Sequence, residues 1–179
     1  MLTNRRRKFV LGAVTGLAVA AGIAALPGAA SAQNVQYISS SRDWHAFQFT
    51  ENGAKACYIA SKPTKSEPAN VRHGDVFILV TNRPAEKQKN VVSLQVGYTL
   101  KQGSNVTATI GGKNFQLFTD GNTAWSRDAA ADDALVNAMK AGSTMTVKAS
   151  SSRGTGTGYT FSLAGISQAL NEINKACGA

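Results

Sequence analysis

Two histidines, two cysteines and ten acidic residues are the side chains of this 179-residue chain best suited to catalysis or metal binding. His45 alternates with Phe47 and Phe49 in a strand pattern, which favours a packed or edge histidine. His73 lies two residues before Asp75, so a His/Asp dyad is conceivable, but the adjoining Gly74 favours a turn residue. A serine nucleophile needs an activating base within reach, and the G-x-S-x-G motif does not occur. The sequence therefore predicts no catalytic residue and a protein that is not an enzyme.

Metal and phosphate sites are not indicated either. A metal needs several converging ligands, and the sequence shows no cluster of His, Cys, Asp or Glu, so we predict no metal and no cofactor. The glycines at 154, 156 and 158 lack the Lys-Ser/Thr that completes a P-loop, which favours a flexible connection between strands. Asp132 and Asp133 are adjacent on a predicted helix and must diverge, so they do not form a glycosidase pair. A hydrolase with unidentified catalytic residues is the alternative.

Three loops are rich in the residue types that dominate binding interfaces. Arginine and tryptophan in particular are favoured at binding hot spots. We expect a partner-binding role for six residues of these loops: Arg83, Glu86, Lys87, Trp125, Arg127 and Arg153. The competing interpretation is that Trp125 lies in the core, Arg127 pairs with an acid, and the remaining side chains are solvated.

Cys57 and Cys177 are the only cysteines of the chain. We predict that they form a disulfide between an early strand and the last helix, which an oxidising compartment would allow. Closing a loop of about 120 residues stabilises a fold by up to roughly 4.7 kcal/mol. Two buried free thiols are the alternative. A redox role is not indicated because no C-x-x-C motif occurs.

The N-terminus predicts export from the cytoplasm. Residues 5–8 are basic, 9–26 are apolar, and Ala30-Ser31-Ala32 forms a small-residue cleavage site before Gln33. This is the layout of a signal peptide that is cleaved between Ala32 and Gln33. A transmembrane anchor is the alternative, and the paired arginines leave the twin-arginine route open beside the general secretory route.

Cleavage divides the chain into a signal peptide, 1–32, and a single domain, 33–179. Removing the four signal-peptide cations from the formal charge of +9 leaves +5. The remaining basic residues are scattered and are not interleaved with aromatic residues, which argues against nucleic-acid binding. We expect a periplasmic or secreted protein that meets a membrane only through an uncleaved signal peptide or by peripheral contact.

Alternation of apolar and polar residues predicts a mainly β domain. Strand patterns separated by turn residues cover the ranges 44–50, 54–60, 75–81, 92–98, 106–110, 115–117, 145–149 and 159–163. The 75–81 pattern is apolar on both faces, as in a central buried strand, and Gly111-Gly112 marks a hairpin turn. The polar segments are expected to be loose or looped: 33–41, 62–70 and 82–90. We predict an antiparallel β-sandwich or barrel-like sheet.

Two short helices interrupt the strands, and one of them is C-terminal. The carboxylate of Asp128 can cap the start of the first helix, and Gly142 ends it. The second helix runs from about Ile166 to Ala176 and is ended by Gly178. Its apolar face consists of Ile166, Leu170, Ile173 and Cys177.

Short segments, in order along nearly all of 33–179, form a family signature: Asp43-Trp44, Lys55-Ala-Cys57-Tyr-Ile-Ala-Ser61, Thr81-Asn-Arg-Pro-Ala-Glu-Lys87, Asn90-Val-Val-Ser93, Phe118-Thr-Asp-Gly121, Ala124-Trp125, Ala134-Leu-Val136, Met139-Lys-Ala-Gly142, Ser162-Leu-Ala-Gly-Ile-Ser167 and Ala176-Cys177. Together they resemble the invasion-associated locus B family. The sequence departs from that pattern at Asn82, where histidine is expected, and at Ile166, where phenylalanine is commoner.

The resemblance implies an exported bacterial protein, periplasmic or envelope-associated, that is linked in some pathogens to host-cell invasion. It implies no established enzyme activity and supplies no catalytic residues. Our hypothesis is therefore a non-enzymatic envelope protein that binds an envelope or host protein or a glycan. The alternatives are a periplasmic hydrolase and a structural or stress-related envelope factor.

Overall fold

The computed structural model describes residues 34–178, and the predicted signal peptide with its cleavage site at Ala32–Gln33 lies outside them. The strands are β1 Gln36–Ser41, β2 Trp44–Glu51, β3 Ala54–Ser61, β4 Lys65–Glu67, β5 Phe77–Arg83, β6 Gln88–Gln95, β7 Asn105–Ile110, β8 Lys113–Asp120, β9 Thr123–Trp125, β10 Thr144–Ser150 and β11 Gly156–Ser162. The helices are α1 Ala129–Ala141 and α2 Ile166–Cys177, with a 3-10 turn at Pro84–Glu86. No helix among these residues has the length and apolar character needed to cross a membrane.

All the strands belong to one antiparallel sheet in the order β1-β2-β3-β5-β6-β9-β8-β7-β10-β11-β4. Most consecutive strands pair as hairpins, whereas β4 pairs with β11 from the far end of the chain. The outermost strands β1 and β4 do not pair with each other, so the sheet is open. The predicted mainly β, antiparallel fold with two helices, one of them C-terminal, is confirmed, and the sheet is not closed into a barrel.

One face of the sheet, here called the inner face, carries the hydrophobic core. Alternate residues of successive strands are almost completely buried on it: Trp44, Ile59, Val80, Leu94, Val106, Val147 and Phe161. Both helices pack on this side, α1 against β6 and α2 against β1, β2 and β3. Because successive side chains of a strand point to opposite faces, the intervening residues lie on the outer face.

The first helix begins and ends where local sequence signals predicted. The carboxylate of Asp128 accepts a hydrogen bond from the backbone N–H of Ala131 at 2.9 Å, and Gly142 follows the last helical residue. Asp132 is buried whereas Asp133 is exposed, so the two carboxylates diverge as predicted. The apolar residues buried by this helix are Leu135, Val136 and Met139.

The second helix is attached to the sheet by apolar contacts and by a covalent bond. Ile166, Leu170 and Ile173 are buried against the core. Cys177 forms a disulfide with Cys57 of β3, with their Cα atoms 6.1 Å apart. The predicted disulfide is confirmed.

The entrance to α2 requires glycine. Gly165 has φ +93°, a conformation that side chains other than hydrogen rarely adopt. A Cβ atom at this position would also collide with the carbonyl oxygen of Ser41, at the end of β1. The close approach of these two backbones fixes where the helix starts relative to the edge strand.

Four segments that were expected to be loose or looped contain strands: the three polar segments and the glycine-rich connection, in which β11 begins at Gly156. β1 lies within 33–41 and β4 within 62–70. Within 82–90, β5 continues to Arg83 and β6 starts at Gln88, so only a tight turn separates them. The loop predictions are wrong in these segments. For β1 and β4 the reason is that an edge strand pairs on one side only, so its polar side chains stay in water.

The predicted strand 75–81 is central but is not buried on both faces. β5 lies between β3 and β6. Ile78 and Val80 are buried on the inner face, while Phe77 and Leu79 are only half-buried on the outer face. The difference arises because both helices pack on the inner face.

The Gly111-Gly112 turn occurs as predicted. It joins β7 to β8 with Ile110 opposite Lys113. Both glycines have positive φ, +54° and +78°, which is the conformation that a two-residue hairpin turn of this kind demands.

Candidate functional site

The outer face of one half of the sheet carries an array of aromatic side chains. Several of the residues that alternate with the core on these strands are large and apolar, although β6, between β5 and β9, presents Ser93 and Gln95. The large apolar residues are Tyr37 of β1, Phe47 and Phe49 of β2, Tyr58 of β3, Phe77 and Leu79 of β5, Trp125 of β9, and Phe118 of β8, which lies opposite Trp125. We call this set the aromatic face.

The rings contact one another across neighbouring strands. Phe47 stacks on Tyr58 with ring centroids 5.0 Å apart. Tyr37 meets Phe47 edge-on at 5.7 Å, and Phe49 meets Tyr58 edge-on at 5.8 Å. Burial raises the pKa of the Tyr58 hydroxyl above its ordinary value of 10.0. Cross-strand aromatic pairs of this kind stabilise the sheet and hold the rings in place.

The aromatic face is partly open to solvent. Tyr37 is 59% exposed and Phe118 is 47% exposed. Val35, just before β1, is 46% exposed. Isolated exposed apolar side chains are common on protein surfaces, whereas large contiguous apolar patches are found at interaction sites.

A cleft of about 380 Å³ opens within the aromatic face. Phe49, Tyr58 and Trp125 line it, and Arg83 and Glu51 supply its charged groups. Nε of Arg83 donates to Oε2 of Glu51 at 2.9 Å, and the two side chains are only 24% and 30% exposed. Reduced contact with water strengthens an ion pair, so this one holds the guanidinium in a fixed direction beside the rings.

A second cleft, of about 500 Å³, lies on the same face, and its lining includes His45, Phe47 and Phe77. Nζ of Lys62 lies 5.1 Å from the centroid of the Phe77 ring, within cation–π range. The same Nζ lies 3.7 Å from a carboxylate oxygen of Asp75, and both side chains are largely exposed. This end of the aromatic face therefore combines aromatic rings with charged groups at the rim.

The other half of the outer face has a different composition. The outward residues of β7, β8, β10 and β11 are mostly polar: Thr107, Thr109, Asn114, Gln116, Thr144, Thr146, Lys148 and Thr160. Oγ1 of Thr109 donates to Oδ1 of Asn114 at 2.7 Å, a cross-strand pair typical of a solvated sheet. We call this set the threonine face. The two halves of the outer face therefore differ in composition, and aromatic residues are not required along the whole of this sheet.

Half of the predicted partner-binding residues gather on or beside the aromatic face. Arg83 and Trp125 line its first cleft. Trp125 is half-buried in β9 rather than part of the core. Glu86 is exposed in the adjoining 3-10 turn, where it shares a small recess with Arg83.

The other three predicted residues lie elsewhere. Arg153 lines a separate cleft near the loop between β10 and β11. Lys87 is exposed at the end of the 3-10 turn with φ +56°, and Arg127 is exposed between β9 and α1. Neither Lys87 nor Arg127 lines the clefts described above. The binding role of all six residues stays a prediction.

Sequence patterning did not single out Tyr37, Tyr58 or Glu51. Tyr37 lies in a segment that was expected to be loose, and Glu51 meets Arg83 only through strand pairing in three dimensions. One signal was available: Phe47 alternates with other aromatic residues along 44–50.

His73 belongs to a hydrogen-bond network and is not paired with Asp75. Its Nδ1 lies 3.0 Å from the hydroxyl of Tyr159, and its Nε2 lies 3.0 Å from the carbonyl oxygen of Pro68. Because a carbonyl oxygen can only accept, Nε2 is the donor in the second bond. Asp75 instead approaches Lys62. His73 therefore fastens the segment that follows β4 to β11.

The remaining candidates for chemistry are dispersed. His45 is exposed on the outer face, on the same side of β2 as Phe47. It is neither packed nor on an edge strand, because β2 lies between β1 and β3. Among residues 34–178, no group of three or more His, Cys, Asp or Glu side chains is arranged to hold a metal ion.

Matches to this chain were found among family models and among solved structures. The family model described as invasion associated locus B (IalB) protein matches residues 44–174, from the start of β2 into α2. A crystal structure of invasion associated protein b from Bartonella henselae aligns with TM-score 0.54 and 15% sequence identity, covering 79% of this chain and 96% of that one. At this identity the likeness concerns the fold alone. A search of curated proteins found no match.

Proposed function

Since the chain belongs to the invasion-associated locus B family, we propose that it is an exported, non-enzymatic protein of the bacterial envelope that binds a partner protein through the aromatic face. The observation that carries the proposal is the set of partly exposed rings beside the half-buried Arg83–Glu51 pair. A role in host-cell invasion is part of the proposal, and it rests on the name of the family and of the Bartonella henselae protein.

Export is supported by the disulfide between Cys57 and Cys177. Disulfides form and persist in oxidising compartments, such as the periplasm and the extracellular space, and are rare in the cytosol. The two cysteines are 120 residues apart in sequence, so their bond constrains most of the domain. The predicted signal peptide would direct the chain out of the cytoplasm into such an oxidising compartment.

A protein partner is favoured over a glycan by the chemistry of the aromatic face. Its phenylalanine rings carry no hydrogen-bonding group. A sugar presents hydroxyls around its ring; outside the first cleft, whose lining includes polar side chains, these rings offer the hydroxyls few hydrogen-bond partners, and each one that loses water unpaired weakens binding. Apolar side chains of a partner protein have no such requirement, and Trp125, Tyr37 and Arg83 are of the types that dominate protein interfaces.

The non-enzymatic part of the proposal is supported by the surroundings of His73. Both of its ring nitrogens are engaged, one with the Tyr159 hydroxyl and the other with the Pro68 carbonyl. A general base needs a ring nitrogen that can reach a substrate proton. The contacts of this residue are those of a structural histidine.

Site-specific photo-crosslinking in the source bacterium tests the binding surface. Benzoylphenylalanine is introduced at Tyr37 or at Phe118, two exposed positions of the aromatic face. After illumination, we expect discrete adducts that disappear on protease digestion and persist after treatment with glycosidases. Mass spectrometry of the adducts then identifies the partner.

The matched control places the crosslinker at Thr146, an exposed position on the threonine face. We expect no discrete adduct from this variant, and we expect Arg83→Ala to reduce the Tyr37 adduct without changing the amount of folded protein. The same adducts from Thr146, or none from both aromatic positions, would contradict the proposal. Adducts lost only with glycosidases would show a glycan partner instead.

A further inference from the structure

A third cleft, separate from those of the aromatic face, has the character of an anion site. Its volume is about 510 Å³, within the range typical of small-molecule sites. It is formed by three segments: 71–72, 97–99 and 151–157. We call it the arginine cleft, because Arg72 and Arg153 both line it.

The arginine cleft has an excess of positive charge. Both arginines are exposed, and neither forms an ion pair within residues 34–178. No carboxylate of the described part of the chain lines the cleft. The acids of the adjoining segment are already paired: Glu67 lies 2.7 Å from Lys65, and Asp75 lies 3.7 Å from Lys62.

Hydroxyl groups make up most of the remaining lining. Thr99, Ser152 and Thr155 are exposed in the cleft, and Tyr98 and Thr157 are more deeply set. Hydroxyls both donate and accept hydrogen bonds. This lining therefore suits a ligand that carries hydroxyl groups of its own as well as a negative charge.

The arginine-bearing loop is held in place by backbone hydrogen bonds. The N–H of Ser152 donates to the carbonyl of Thr99 at 2.8 Å, and the N–H of Ser151 donates to the carbonyl of Thr155 at 2.9 Å. Oγ of Ser151 in turn accepts from the N–H of Thr155 at 3.1 Å. Arg153 thus projects from a fixed turn, and a fixed turn lowers the entropy cost of binding.

The base of the arginine cleft is equally well ordered. The hydroxyl of Tyr98 lies 2.6 Å from that of Thr157 and accepts from the hydroxyl of Tyr159 at 3.0 Å. Tyr159 also contacts His73, which holds the carbonyl of Pro68 and so anchors the segment that carries Arg72. Both arginines are attached to the same hydrogen-bonded framework.

We propose that the arginine cleft binds a sugar-sized oxyanion, namely a carboxylated or phosphorylated sugar. The guanidinium groups of Arg72 and Arg153 bind the oxyanion, for which their planar donor geometry is suited. Exposed hydroxyls such as that of Ser152 bind the hydroxyls of the sugar. This site is independent of the partner-binding face proposed above, since no residue lines both.

Calorimetric titration of the purified, oxidised protein tests this site with four probes: glucuronate, glucose 6-phosphate, inorganic phosphate and glucose. We expect at least one of the two charged sugars to bind more tightly than inorganic phosphate, and glucose not to bind. Which charged sugar binds then distinguishes a carboxylate from a phosphate ligand. The proposal would be overturned if neither charged sugar bound. It would also be overturned if glucose bound as tightly as the charged sugars, or if inorganic phosphate bound as tightly as either of them.

Two substitutions and a control locate the binding. Arg72→Gln and Arg153→Gln should each weaken binding by about tenfold or more, since each removes charge-assisted hydrogen bonds. Lys113→Gln removes an exposed cation at the start of β8 and should leave the affinity unchanged. Wild-type affinity in both arginine variants, or an equal loss in Lys113→Gln, would show that the charge is not recognised in this cleft. Thermal melting confirms that all three variants are folded.

Discussion

At the scale of single residues, two buried polar side chains connect the helices to the sheet. Oδ1 of Asp132 accepts from the backbone N–H of Val92 in β6 at 2.8 Å. Nδ2 of Asn82 donates to Oδ1 of Asn174 in α2 at 2.9 Å, while its own oxygen accepts from the N–H of Asn90. A buried polar group without a hydrogen-bond partner destabilises the fold, so these bonds fix the position of each helix on the sheet. Asn82, one of the departures from the family pattern, thereby gains a structural role.

Asp132 makes the stability of the fold depend on pH. Burial raises the pKa of this carboxyl above its ordinary value of 3.8, and hydrogen bonds from Val92 and Ser126 oppose the rise in part. A folded-state pKa above the unfolded one means that the folded protein binds more protons between the two values. The contribution of Asp132 to the free energy of unfolding is therefore fully present below 3.8 and is lost as pH rises through the folded pKa.

Asp132→Asn and Asp132→Ala separate charge from hydrogen bonding. Asparagine keeps an acceptor for the Val92 N–H and stays neutral, so its stability relative to wild type should rise between about pH 3 and about pH 6. Alanine leaves that N–H unpaired and should lower the free energy of unfolding by about 1–3 kcal/mol at both pH values. Urea denaturation at the two pH values measures both effects. A relative stability of Asp132→Asn that falls with pH would show the opposite sign of the pKa shift.

Residue-scale features were predictable where the partners are close in sequence. The Asp128 cap needs only the next few residues, and a side chain of that type before an apolar stripe indicates it. The Arg83–Glu51 pair joins β5 to the end of β2, and nothing local identifies that partner. Arg83 and Trp125 were singled out by residue type alone, and the pairing of β6 with β9 explains why they share a cleft.

At the scale of elements, the helices were predictable from nearby residues, whereas the edge strands were not. Both helices were predicted because capping residues and apolar spacing are local signals. β1 and β4 were expected to be loose because they are polar and short, and β4 pairs with Gly158–Thr160 far along the chain. Pairing of that kind depends on the whole sheet, so a window of sequence does not reveal it.

The disulfide is the strongest link between elements, because it joins β3 to α2. Reduction of the wild-type protein and the substitution Cys57→Ser should each lower the free energy of unfolding by a few kcal/mol, up to about 4.7 kcal/mol from loop closure. Denaturant unfolding of the oxidised and reduced forms measures the loss. Cys177→Ser is the matched control, since it opens the same loop at a less buried position. Equal stability of the oxidised and reduced proteins would contradict a stabilising role for this bond.

At the scale of the whole molecule, the outer face of the sheet is divided into two chemically different halves. Most of the aromatic face lies on β1, β2, β3 and β5, which α2 contacts from the inner side, and it extends to Trp125 of β9 and Phe118 of β8; the threonine face lies on β7, β10, β11 and the rest of β8. Strand spacing predicted a mainly β fold but did not establish the strand order, which depends on pairings between distant segments. Without that order, the aromatic residues of five strands and Phe118 of a sixth could not be assigned to one surface.

The central claim is that this protein meets its partner on the aromatic face, and fluorine NMR tests it most directly. The chain has only two tryptophans: Trp44 is fully buried in the core, whereas Trp125 lines the first cleft of the aromatic face. The protein is labelled with fluorotryptophan and titrated with envelope extract of the source bacterium. We predict that the Trp125 resonance shifts while that of Trp44 keeps its position. A Trp125 resonance that stays in place while both signals broaden together would show binding elsewhere on the molecule and would contradict the claim.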